Sequence, residues 1–97
     1  MIEGKTKNGF KYKIDERVLD DWRLLKYIAQ SESTDPSEQV QGAASLVTLL
    51  LGDQEPAMMD FIAKKNNGFV PALSVTEMMT EILTSAKDLK NSSSSAG

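Results

Sequence analysis

The sequence predicts a mainly α-helical domain with a small N-terminal β-hairpin, an α+β arrangement of four helices in one compact unit followed by a disordered serine-rich tail. Three observations predict it. Apolar residues alternate from Phe10 to Ile14 behind an Asn8-Gly9 turn, which is strand patterning. From Val18 onward they recur at three- and four-residue spacing instead, which is helix patterning. Helix-start signals then punctuate the chain at Asp35-Pro36 and at Ser74 with Glu77 three residues later. The domain is expected over residues 1–90, with the hairpin at 1–14, the helical body at 15–90 and the tail at 91–97.

Two registers are open to the hairpin. A two-residue Asn8-Gly9 turn pairs Lys7 with Phe10 and Lys5 with Tyr12, leaving Ile2 and Ile14 on opposite faces. A three-residue loop, Lys7-Asn8-Gly9 with Gly9 left-handed, pairs Thr6 with Phe10, Gly4 with Tyr12 and Ile2 with Ile14. The second collects Ile2, Phe10, Tyr12 and Ile14 on one face, and burial of one face makes register strict, so it is the expected one. Two strands are marginal in water, so this face must rest on the chain's own helices or on a neighbouring copy.

Asp15 is expected to cap the first helix, with Val18, Trp22, Leu25 and Ile28 or Ala29 as its buried stripe and Leu19 at the edge. Ser31 to Thr34 ends it. Asp35 caps the second helix, Pro36 takes its first position and Glu38 completes a capping box. Val40, Ala43, Ala44, Val47, Leu50 and Leu51 form its stripe, and Gly52 stops it. A third, shorter helix starts near Asp53 and uses Ala57, Met58, Phe61 and Ile62; Lys64 and Lys65 suit its C-terminal dipole before Asn66-Asn67-Gly68. Phe69-Val70-Pro71 is an extended link. The fourth helix is capped by Ser74 with Glu77, and Leu73 can staple against Met78. Its stripe is Val75, Met78, Met79, Ile82, Leu83, Ala86 and Leu89.

Composition narrows the chemistry. The 97 residues contain neither cysteine nor histidine, so disulfides, thiolate metal sites and histidine-based catalysis have no residues to use. No enzymatic activity, metal or cofactor is expected. No apolar run approaches a membrane span, and the lysine-rich N-terminus lacks the apolar core of a signal peptide, so a cytoplasmic protein is expected. Net charge is −3, unevenly placed: residues 1–14 carry +3 and residues 15–97 carry −6. An acidic body repels phosphate, so nucleic acid is not an expected partner. Asp20 and Asp21 point about 100° apart on a helix and read as solvated surface rather than a paired site.

The methionine pairs are the better candidates for function. Met58-Met59 and Met78-Met79 each place one flexible side chain near the rim of a helix face, where methionine serves adaptable binding surfaces as well as gap-filling in a core. With Phe61 they form the candidate partner-binding set: Met58, Met59, Phe61, Met78 and Met79. Ile2, Phe10 and Tyr12 of the hairpin are candidates for self-association. Trp22 reads as a core anchor beneath the hairpin, with a partner contact as the alternative.

Taken in order, the segments Ile2-Glu-Gly-Lys-Thr-Lys-Asn-Gly-Phe-Lys-Tyr-Lys-Ile-Asp15, Val18-Leu-Asp-Asp-Trp-Arg-Leu-Leu25, Leu49-Leu-Leu-Gly-Asp53, Gly68-Phe-Val-Pro71 and Lys87-Asp-Leu-Lys-Asn-Ser92 resemble the small tail assembly chaperones of long-tailed phages and prophages of Gram-positive bacteria. The resemblance implies a non-enzymatic protein of the host cytoplasm, absent from the mature virion. It would bind the tape measure protein and keep it soluble while the tail tube assembles. It also implies homo-oligomers and a longer form made by ribosomal frameshifting. Leu89-Lys90-Asn91 can be encoded with the slippery run A-AAA-AAC, which would place such a shift at the end of the ordered domain. The alternative reading is a small helical regulatory or nucleic-acid-binding protein, which needs a basic recognition helix that this pattern does not supply. An acidic four-helix carrier protein would need an Asp-Ser-Leu phosphopantetheine site, and that tripeptide is absent.

Overall fold

A computed structural model describes residues 1–89 with their side chains and the backbone through residue 96; the tail at 91–97 lies outside the residues described in full. The elements are β1 (Ile2–Lys5), β2 (Lys11–Ile14), α1 (Trp22–Ser31), α2 (Pro36–Leu51), α3 (Glu55–Lys65) and α4 (Ala72–Ala96). Short 3₁₀ turns at Glu16–Asp20 and Gly52–Gln54 lead into α1 and α3. The mainly helical fold with one two-stranded antiparallel hairpin is the architecture expected from the sequence.

The hairpin takes the three-residue-loop register, pairing Ile2 with Ile14, Glu3 with Lys13 and Gly4 with Tyr12. Thr6 locks the loop from both sides. Its N–H donates to the Phe10 carbonyl at 2.8 Å, its carbonyl accepts from the Gly9 N–H, and its hydroxyl accepts from the Phe10 N–H at 3.0 Å. Gly9 sits at φ 102°, where a side chain would be strained. Ile2, Phe10, Tyr12 and Ile14 are all buried. The Tyr12 ring lies across Gly4, so a Cβ at position 4 would overlap it. Burial of one hydrophobic face selects the register, as a one-residue slip would put Ile2 on the face opposite Phe10, Tyr12 and Ile14.

The hairpin rests on its own helices. β1 packs against α4 and β2 against α2. Gln54 pairs with the outer edge of β2 like a strand residue, accepting from the Lys13 N–H and donating to the Lys13 carbonyl, both at 2.7 Å. Glu81 of α4 accepts from the Lys7 N–H at 2.6 Å.

The entry into α1 differs from expectation. Asp15 caps a 3₁₀ turn, not the helix, and the chain is extended again at Asp21 (φ −74°, ψ 130°). Asp21 then caps α1, its side chain accepting from the Arg23 N–H at 2.8 Å. This break resets the helical phase. Leu24 is fully buried and Tyr27 and Ile28 pack against the core, while Trp22 is 75% exposed and Leu25 53%. Trp22 is therefore no core anchor. The signal was present in the chain as a repeat, Asp15-x-Arg17 and Asp21-x-Arg23: each carboxylate takes the main-chain N–H and the guanidinium of the arginine two residues on. Asp21 is thus a cap rather than open helix face.

In α2, Asp35 caps through the Ser37 N–H and Pro36 occupies the first turn. Glu38 makes no capping box: it accepts from the Ser33 hydroxyl at 2.8 Å, and that hydroxyl accepts from the Asp35 N–H. Leu46, Val47, Leu50 and Leu51 are buried, but Val40 is 68% exposed. Gly42 faces α1 so closely that a Cβ there would run into the Ser31 main-chain nitrogen and Gln30. A glycine in mid-helix, costly on propensity alone, is what lets the α1 terminus cross at contact distance. Gly52 stops α2 as expected, at φ 51°.

Met58 and Ile62 bury α3, and Asn67 and Gly68 end it with positive φ. The Gly68 N–H returns to the Ala63 carbonyl at 2.7 Å, satisfying a terminal acceptor. α4 begins at Ala72, two residues before the expected Ser74 cap, with the Val75 N–H donating to the Pro71 carbonyl. Leu73 is 68% exposed, so the expected staple against Met78 does not form. Met78, Met79, Ile82, Leu83 and Ala86 are buried along it.

Candidate functional site: a groove between α2 and α4

The candidate residues separate by burial. Met58 is fully buried, and Met78 and Met79 are 5% and 4% exposed. Adjacent methionines were expected to divide between core and rim. On α4 both lie inside, within the core cluster that the helix forms with β1, against which it packs. Ile2, Phe10 and Tyr12 are likewise core residues, so they offer no self-association surface in this conformation. Phe61 is half-buried beneath Phe10, with ring centroids 5.6 Å apart, and the Lys65 ammonium lies 5.1 Å from its ring centre. Met59 and Phe61 are the partly exposed members of the set; Phe61 lines a small pocket between α3 and α4, and Met59 lines a larger space between α2 and α4.

That space is an apolar groove of about 740 Å³. It exists because α2 packs along α1 and against β2, while α4 draws its close backbone contacts from β1. The two long helices thus face each other with a gap. One wall is the α2 face Gln39, Val40, Ala43, Ala44 and Val47; the other is the α4 face Ala72, Val75, Thr76, Thr80 and Thr84. Met59, Met79, Leu46 and Leu83 line it between them. Thr76 and Thr80 donate their hydroxyls back to main-chain carbonyls one turn earlier, at 3.1 and 3.0 Å, so they present methyl-bearing surface rather than unsatisfied polar groups. Small residues on both walls permit close approach of another helix, and α4 lines the groove from Ala72 to Lys87, about 22 Å of helix. Glu32, Glu55 and Lys87 stand at its margins.

Four of the six residues expected to bury α2, Val40, Ala43, Ala44 and Val47, therefore line the groove. Hydrophobic spacing marks a face that avoids water; it does not say whether the cover comes from the same chain. The signals that sequence reasoning did not weigh were the small residues Ala72, Thr76 and Thr80 on the facing helix.

Elsewhere the electrostatics are those of caps. Arg17, by its guanidinium and then its N–H, holds the Asp15 carboxyl down at about 2, and Arg23 does the same for Asp21. The N-terminal ammonium lies 2.8 Å from Glu16, lowering that carboxyl and raising the amine. Among the described residues no three His, Cys, Asp or Glu side chains converge as metal ligands, and no helix is long and apolar enough to cross a membrane. No known protein family, curated protein or solved structure matches the chain.

Proposed function

We propose that this chain is an assembly chaperone of the phage tail kind, which holds an amphipathic helix of the tape measure protein in the α2–α4 groove and keeps it soluble until the tail tube forms. The observation that carries the reading is the groove itself. It is apolar, long enough for several helical turns, and walled by small residues, which is the geometry of helix-in-groove recognition. Met59 and Met79 along it can re-pack around different apolar side chains, which suits a client with many similar helical segments. The acidic exterior keeps the complex soluble. The order of segments shared with tail assembly chaperones supports the same reading, and a frameshifted longer form starting near Leu89 to Asn91 belongs with it.

The test is titration of helical tape measure fragments into the chain, followed by calorimetry. Val40→Glu places a carboxylate on an exposed wall position without touching the core. It is expected to weaken binding by at least about tenfold, equivalent to 1.4 kcal/mol, while the melting temperature stays within a few degrees of the parent. Met59→Glu should act in the same direction. Equal affinity for the parent and both variants rules the groove out. Met79→Glu is unsuitable for this purpose, since it buries a charge and would unfold the chain.

A further inference from the structure

α1 presents to solvent an apolar stripe that the fold itself leaves unused. Trp22 and Leu25 are 75% and 53% exposed, and Ala29 continues the same helical face. None of the three lines the α2–α4 groove. One molecule therefore carries both an apolar ridge and an apolar furrow, on different residues.

We infer that the Trp22–Leu25–Ala29 stripe docks in the α2–α4 groove of a second copy, so that self-association and client binding compete for one site. The inference rests on the groove being a helix-docking site, as proposed above. Charge favours a second copy as the occupant. Lys26 borders the stripe, is exposed and has no ion pair among the described residues, whereas Arg23 at its start is already held by Asp21. The groove margin sets the two carboxylates of Glu32 and Glu55 against the one ammonium of Lys87, so it is negative on balance. Length agrees as well: the ten residues of α1 span about 15 Å and the α2 wall from Gln39 to Val47 about 12 Å. A ridge and a furrow on different residues of one chain make a heterologous contact, able to link copies in series. A single helix face buries less than the roughly 1,200 Å² of a standard interface, so the contact exchanges readily and a client helix can displace it.

The experiment uses the full chain and its single tryptophan. Raising the concentration should shift Trp22 emission to the blue and raise the mass in light scattering above the 10.6 kDa of the chain. Trp22→Glu removes the ridge and Val40→Glu spoils the furrow, both at exposed positions, so each variant alone should stay monomeric. Mixed one to one, they should associate again, because Val40→Glu still offers a ridge and Trp22→Glu still offers a furrow. Trp22→Glu should retain tape measure binding, whereas Val40→Glu should lose both activities. Phe69→Glu, at an exposed apolar residue outside both surfaces, should change nothing. A parent chain that stays monomeric at millimolar concentration overturns the inference. So does a mixture that fails to associate, or a loss of association in Phe69→Glu. Client binding without self-association sinks this inference alone; self-association without client binding sinks the functional reading alone.

Discussion

The hairpin and α1 lie side by side in the chain and carry similar amounts of apolar side chain, yet the structure treats them in opposite ways. All four large apolar residues of the hairpin face are buried, whereas α1 buries Leu24 and leaves Trp22 and Leu25 in solvent. The difference is one of phase. A strand has two faces, so once Gly9 and Thr6 define the loop, every alternate residue follows. A helix can present any of its faces, and the extended residue Asp21 sets which one α1 turns inward. Strand burial is thus determined locally, while helix burial depends on where the helix starts.

Substitutions in the two regions should differ accordingly. Ile14→Ala empties a fully buried position and is expected to lower stability by about 2–5 kcal/mol in urea unfolding. A loss below 1 kcal/mol would mean that the hairpin face is not packed as described.

Acid should act on the junction between the two regions. Asp15 and Asp21 have folded-state pKa values near 2, below their ordinary value of 3.8. Their contribution is therefore present above that ordinary value and is lost as pH falls toward 2. Both carboxylates are partly exposed and their arginine partners are exposed, so the effect is a modest downward drift in melting temperature, and salt weakens it. Asp15→Asn with Asp21→Asn should flatten that drift. An unchanged pH profile in the double variant would separate the caps from the acid response.

The smallest effect belongs to the largest side chain. Trp22→Ala, measured in dilute solution where the chain is monomeric, should change stability by no more than about 0.5 kcal/mol. A loss of several kcal/mol would place Trp22 in the core after all and erase the contrast with Ile14.

The candidate site was legible in part. Val40, Ala43, Ala44 and Val75 stood out as apolar positions at helical spacing, and the methionine pairs as adaptable ones. Their assignment to groove or core could not be read, since spacing alone does not reveal the cover. Met79 sits at the boundary, 4% exposed and still lining the groove. Val40 has the same pattern as Leu50 on the same helix, yet one is open and the other closed. The deciding fact is that α4 makes its close backbone contacts with β1, a long-range contact that no local pattern encodes.

The chain by itself determined the hairpin register, the four helices, the Asp35-Pro36 start and the Gly52 stop, because sterics, turn chemistry and periodicity act over a few residues. Only the tertiary structure decided that Gly42 admits the end of α1, that Trp22 faces solvent and that α2 and α4 stand apart. Those outcomes depend on how rigid elements meet, where one residue of helical phase or a single missing Cβ changes which surfaces can touch.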